Sequence, residues 1–210
     1  MKVLELFAGS RSIGKAFEKI GAEVFSVDIN NFADINLVID ILDMNTSDVP
    51  FKPDVIWASP PCTAFSVAAI GKNWISGEVF TPKTERAELG IKIFRKTLEL
   101  IQSYKDAIWY IENPRGKMRK APDWNDIEHI RHTITYCQYG DTRMKPTDIW
   151  TNDFAWKPRK MCKNGDSCHE SAPRGSRTGT QGLKGNYLRS VIPHQLCDEI
   201  SQHFRNTCVQ

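Results

Sequence analysis

Two residues of this chain carry groups suited to covalent chemistry. Cys62 ends the run VIWASPPCTAFS (residues 55–66), in which apolar and β-branched residues stop at two prolines and the thiol follows on a stiff turn. A cysteine that only packs is usually embedded in the apolar run. This one sits just beyond it, beside Thr63 and Ser66, and reads as a presented nucleophile, with packing in the core as the competing reading. Glu112 ends a second apolar run and heads the triplet Glu112-Asn113-Pro114. The 50 residues between positions 62 and 112 accommodate one strand-helix-strand crossover. Successive right-handed crossovers usually lie side by side, so Cys62 and Glu112 are expected at the same C-terminal edge of a sheet, where ligands bind.

The elements that must position them are legible in order. A strand over 3–7, a tight turn over 9–12 and a helix capped by Ser12, with Ile13, Ala16, Phe17 and Ile20 on one face, are followed by Gly21 as a stop. A second strand over 23–27 ends at Asp28 and a third over 37–39 ends at Asp40. Strand, glycine turn, helix, strand and acid make a nucleotide-binding half of a doubly wound α/β sheet. The turn's N–H groups and the helix N-terminus suit a ligand's polar end, Asp28 suits ribose hydroxyls, and Asp40 suits an adenine amino group. A fourth strand over 54–58 delivers Cys62, a long polar loop spans 63–83, a helix spans 84–103 and a fifth strand over 107–111 delivers Glu112. Beyond it a helix over 122–130, a strand over 133–139, a short strand over 148–151 and a final helix over 193–205 are expected.

The chain has 210 residues, 40% of them hydrophobic, which suits one sizeable core and a single domain. No apolar run approaches a membrane span, the N-terminus does not read as a secretory signal, and the six cysteines form no repeating framework. A reduced, cytoplasmic and monomeric protein is expected. Net charge is +3, but residues 157–189 hold eight Lys or Arg against two acids, leaving the rest of the chain at −3. That excess falls in an irregular insertion, residues 152–187, rich in Pro, Gly and Ser.

Two further patterns compete for attention. GSRSIGKA (residues 9–16) misses the phosphate-binding P-loop by its last position, where Ala16 has no hydroxyl for magnesium. Cys162, Cys168 and His169 suggest zinc, with Cys137, Cys197 or His194 as a fourth ligand. The five residues between the two cysteines fall outside the usual spacing, so no metal is assigned.

FAGSRSIG, the acids at positions 28 and 40, SPPCTAFS, Glu112-Asn113-Pro114 and YGDTRMK resemble, in order, the motifs of the cytosine-C5 DNA methyltransferases over most of residues 1–150. Arg11 and Ser12 stand where that family usually has glycines, a glutamine expected shortly before Arg143 is missing, and the target-recognition region is abbreviated. The resemblance implies a doubly wound, mostly parallel α/β fold, S-adenosyl-L-methionine as cofactor and DNA as partner. Cytosine C5 is too weak a nucleophile to attack a sulfonium methyl until a thiolate has added to C6. The resemblance therefore makes Cys62 the nucleophile, Glu112 the group at N3, and Arg143 a cation that helps the thiolate. It places the cofactor on Phe7, Ala8, Gly9, Ser10, Arg11, Ser12, Asp28, Ile29, Asp40, Ile41, Pro60 and Ser190. Ser66 or Trp74 of the 63–83 loop is then a contact for a flipped base, with a packed loop aromatic as the competing reading of Trp74, and the charge of the insertion places DNA phosphates on Lys145, Arg174 and Arg177. The same chemistry on RNA or a free deoxycytidine nucleotide, and a non-catalytic cofactor- and DNA-binding protein, are the alternatives.

Overall fold

The structure, a computed structural model, describes residues 1–170, 188 and 191–207. Seven strands form one sheet in the order β3-β2-β1-β4-β5-β7-β6. They are β1 (Lys2–Leu6), β2 (Glu23–Asp28), β3 (Leu37–Val38), β4 (Val55–Ala58), β5 (Ile108–Pro114), β6 (Ile130–Thr135) and β7 (Pro146–Thr151). All neighbours from β3 to β5 run parallel, and β7 alone runs antiparallel, against both β5 and β6. The strand order reverses between β1 and β4, and the loops after these two strands open a crevice there.

Both faces of the sheet are covered, which is why its central strands are apolar at successive positions. On one face Leu4, Leu6, Ile56, Ala58, Trp109 and Ile111 meet Ile91, Phe94 and Leu98 of the long helix α3 (Glu85–Gln102). On the other, Val3, Val55, Trp57 and Tyr110 meet Ile13 and Phe17 of α1 (Ser12–Lys19) and Leu196 and Ile200 of α4 (His194–Thr207). The two-residue period of a strand sends neighbours such as Trp109 and Tyr110 to opposite cores.

Several local expectations need correction. Ser12 is the first residue of α1 and does not cap it; the cap position is Arg11, at φ 56°. The segment expected as a helix over 122–130 is a 3-10 turn, Pro122–Asp126, followed directly by β6. The strand expected over 133–139 ends at Thr135 and turns into a 3-10 segment, Tyr136–Tyr139, closed by Gly140 at φ 85°. The loop over 63–83 is folded. It contains a short helix α2 (Ile70–Asn73), and Trp74 is 2% exposed, with its ring 4.6 Å from Phe80 and its indole N–H donated to the Ala64 carbonyl at 2.7 Å. Trp74 is thus the core of its own loop and not a surface awaiting a base. An indole buried with its one donor satisfied gains more from packing than from exposure.

Among the described residues no helix is long and apolar enough to cross a membrane. Arg174, Arg177 and Ser190, and residues 171–187 of the basic insertion, lie outside the described residues.

Candidate active site

The crevice at the C-terminal ends of β1, β4 and β5 is a cavity of about 740 Å³. The turn after β1 forms one wall. Phe7, Gly9 and Arg11 alternate in the left-handed region at φ 57°, 51° and 56°. Such a φ costs a non-glycine residue roughly 1–2 kcal/mol, so the turn is held by its surroundings. Asp28 supplies part of that hold, accepting the Gly9 N–H at 3.0 Å and the Asn30 N–H at 2.8 Å. Beneath it Glu5, 2% exposed within β1, accepts the Gly14 N–H at 3.0 Å and the Ser26 hydroxyl at 2.8 Å. Burial pushes the Glu5 carboxyl above its ordinary range, against the pull of these bonds and of Arg11.

The second wall is the turn after β4. Trp57 donates its indole N–H to Ser59 at 2.9 Å, and Cys62 begins a single helical turn, its carbonyl accepting the N–H groups of Phe65 and Ser66 at 3.0 Å. The thiol is half-buried and lines the cavity. The third wall is the end of β5. Asn113, fully buried, donates its amide to the Pro60 carbonyl at 2.8 Å, tying the triplet to the loop that carries Cys62. Glu112, 5% exposed, faces the cavity and accepts the Tyr136 hydroxyl at 2.9 Å. The Lys145 ammonium is 3.8 Å from the same carboxylate and 4.4 Å from the Tyr136 ring centroid. Burial, reinforced by the Glu112 charge, holds the Tyr136 hydroxyl far above the ordinary phenol range, so it remains a donor.

Of the residues singled out from the sequence, the fold brings Phe7, Ala8, Gly9, Ser10, Ser12, Pro60, Cys62, Ser66, Glu112 and Lys145 to this one cavity. Others do not line it, among them Asp28, which instead holds the turn. Arg11 turns inward, its guanidinium bonded to Ser26 at 2.9 Å and paired with Glu18, because a 5%-exposed cation takes the nearest acceptors. Ile29 is 62% exposed, Ile41 is in the core beside α3, and Asp40 accepts the Leu42 N–H at 3.0 Å to close its own turn. Arg143 is folded onto Asp141, whose carboxylate accepts its backbone N–H and its Nε, both at 2.8 Å. The cation beside Glu112 is Lys145 instead. Sequence reasoning missed Tyr136 and Glu5. An acid inside the apolar strand KVLEL was a signal for Glu5; nothing local marked Tyr136.

The fold is a doubly wound α/β sheet with its crevice at the point where the strand order reverses, the place where such sheets bind ligands. The C-5 cytosine-specific DNA methylase model matches residues 1–141. The chain is 31% identical over 221 residues to a probable DNA (cytosine-5)-methyltransferase of Frog virus 3, covering 95% of this chain and 98% of that protein. It is 30% identical over 121 residues to the type II methyltransferase M.CviJI of Paramecium bursaria Chlorella virus IL3A, covering 53% of this chain and 30% of that one. Among solved structures it resembles the S. pombe Dnmt2 methyltransferase (TM-score 0.50, 16% identity) and the Entamoeba histolytica methyltransferase EhMeth (TM-score 0.50, 14% identity). Each match covers 77% of this chain but 51% and 56% of theirs, so the chain spans about half the length of those two proteins. The chain belongs to the C-5 cytosine-specific DNA methylase family, enzymes that use S-adenosylmethionine as methyl donor.

Proposed function

We propose that this chain methylates C5 of cytosine in DNA through a covalent bond between Cys62 and C6 of a flipped-out base. The observation that carries the reading is the meeting of Cys62 and Glu112 in one cavity, joined by the Asn113–Pro60 hydrogen bond. The cofactor fits the first wall, where left-handed turn residues and the N-terminus of α1 present backbone N–H groups suited to a carboxylate. Phe7, Ala8, Gly9, Ser10, Ser12 and Pro60 would hold it, with Asp28 fixing the turn and offering its remaining lone pairs to ribose hydroxyls. When bound, it supplies an electrophilic methyl on a sulfonium.

The chain's own groups do the rest. The Cys62 thiolate adds to C6, moving electron density into the ring and making C5 enamine-like. Glu112, donating the proton of its carboxyl group in a hydrogen bond to N3, lets that density accumulate there, and Tyr136 and Lys145 orient the carboxyl group. After methylation the C5 proton leaves to a base, the C6–sulfur bond breaks, and the thiolate is restored. Arg143 serves the thiolate in this scheme only by leaving Asp141. Arg174 and Arg177, in the basic insertion, are proposed to contact phosphates.

DNA containing 5-fluorocytosine, incubated with the protein and S-adenosylmethionine, tests the reading. Fluorine does not leave as the proton does, so a denaturation-resistant adduct is expected with wild type and not with Cys62→Ser. An adduct that persists in Cys62→Ser overturns the assignment of the nucleophile. Parallel incubations with RNA and with free nucleotide, scored for methylated nucleoside, overturn the DNA assignment if either is the preferred substrate.

A further inference from the structure

Away from the cavity, four side chains with metal-binding atoms converge. Cys137 comes from the 3-10 segment after β6, and Cys162, Cys168 and His169 come from the start of the basic insertion. Their ligand atoms all lie within 4.8 Å of one another. The Cys137 and Cys162 sulfurs are 3.1 Å apart and those of Cys168 and Cys137 3.7 Å apart. His169 Nδ1 is 3.7 Å from the Cys162 sulfur and 3.5 Å from that of Cys168.

We propose that Cys137, Cys162, Cys168 and His169 form a structural zinc site that clamps the insertion to the edge of the methyltransferase sheet. In a tetrahedral site with Zn–S near 2.3 Å and Zn–N near 2.0 Å, sulfurs stand about 3.8 Å apart and sulfur and nitrogen about 3.5 Å apart. Three of the four observed separations match these edges. The fourth, at 3.1 Å, is short for such an edge yet far beyond the roughly 2.05 Å of a disulfide. Three thiolates and one imidazole select zinc among common divalent ions, and four protein ligands leave no open position for catalysis. Binding displaces the thiol protons and leaves a site of net charge −1, in a stretch of sequence that also holds Lys157, Arg159, Lys160 and Lys163.

The segment needs such a clamp. Residues 157–170, KPRKMCKNGDSCHE, contain too little apolar surface to fold on their own, the circumstance in which small structures use a metal. Its ends are already at the right place: the Cys162 N–H bonds Thr135 Oγ1 at 3.0 Å, and the Glu170 N–H bonds the Thr142 carbonyl at 3.0 Å. Between them the chain reverses at Gly165, φ 94°. This revises the assignment of no metal made from spacing alone. Of the three candidates for a fourth ligand, the fold brings in Cys137, 25 residues upstream of Cys162. Neither Cys197, on the buried face of α4, nor His194 belongs to the cluster.

The test is metal analysis of the full chain purified under reducing conditions from zinc-supplemented cells. About one zinc per chain is expected, removable by a chelator, and cobalt(II) added to the apoprotein should give visible d–d bands and a near-ultraviolet thiolate-to-cobalt band of tetrahedral sulfur ligation. His169→Ala, which changes a half-exposed residue, should lose zinc on dialysis while its circular dichroism remains that of wild type. Chelation should open Lys160 and Lys163 to trypsin, and added zinc should close them. Zinc-free protein that also gives no cobalt bands overturns the proposal. So does a Cys137–Cys162 disulfide in the protein as isolated, which would make the cluster a thiol pair.

Discussion

The Asn113 side-chain amide donates to the Pro60 carbonyl at 2.8 Å and, with the bond from the Lys117 N–H to the Phe65 carbonyl at 2.7 Å, joins the two loops that carry Cys62 and Glu112. Asn113 is fully buried, so the bond forms where water cannot replace it. Asn113→Ala should cost about 1–3 kcal/mol of stability, the usual penalty for leaving a buried carbonyl without its donor. Adduct formation with fluorocytosine DNA should fall by more than that loss of folded protein explains, because the two reacting groups lose their common reference. Urea unfolding measured beside single-turnover adduct kinetics checks this; equal losses in both would show that Asn113 is only structural.

Tyr136 orients Glu112 through a 2.9 Å hydrogen bond. Tyr136→Phe keeps the ring beneath Lys145 and removes only the hydroxyl. It should slow methylation by about five- to tenfold, since Glu112 loses a hydrogen bond worth about 1–1.5 kcal/mol that orients it. S-adenosylmethionine affinity, measured by calorimetry, should stay near wild type. An unchanged methylation rate would remove Tyr136 from the catalytic arrangement.

Gly14 lies where α1 crosses the buried acid of β1. A Cβ there would sit 2.6 Å from Glu5 Oε2 and 3.2 Å from Val24 Cγ1. Gly14→Ala should therefore destabilise by about 1–3 kcal/mol, although alanine is the better helix former. The displaced helix N-terminus should also weaken S-adenosylmethionine binding. Thermal unfolding and calorimetry read the two effects, and a stabilised variant would contradict the packing described.

Asp141 gives a pH dependence of defined sign. Burial would raise its carboxyl, but the hydrogen bonds and charge of Arg143 outweigh burial and hold it below the usual carboxylate range. The unfolded chain, with an ordinary aspartate near pKa 3.9, takes up the proton first as pH falls. The pair's contribution is thus complete above about pH 5 and is lost as pH falls through the depressed folded value. Asp141→Asn should be less stable than wild type at pH 7, and the gap should narrow below about pH 4. Denaturant titrations across that range check it; a constant gap would mean that the ion pair contributes nothing.

Much of this protein is written locally. The parallel strands, α1, α3 and α4 follow from apolar periodicity. Cys62 and Glu112 could be placed at one sheet edge because a strand's end and the handedness of its crossover are properties of the chain itself. Glycine at position 9 and the acid at 28 likewise marked the turn after β1, where Asp28 accepts the Gly9 N–H, whereas Asp40 closes its own turn. What the sequence did not determine are relations between side chains far apart along it. Arg143 and Lys145 are two residues apart with the same charge, and only packing sent one to Asp141 and the other to Glu112. Trp74 read equally as a loop contact or a core residue until Phe65 and Phe80 were seen to enclose it. Cys137, outside any local metal motif, meets Cys162, Cys168 and His169 because the chain returns across the sheet edge after β7. The partner of a charge or a thiol is set by distance in space, and the periodicity of a helix or strand carries no information about that distance.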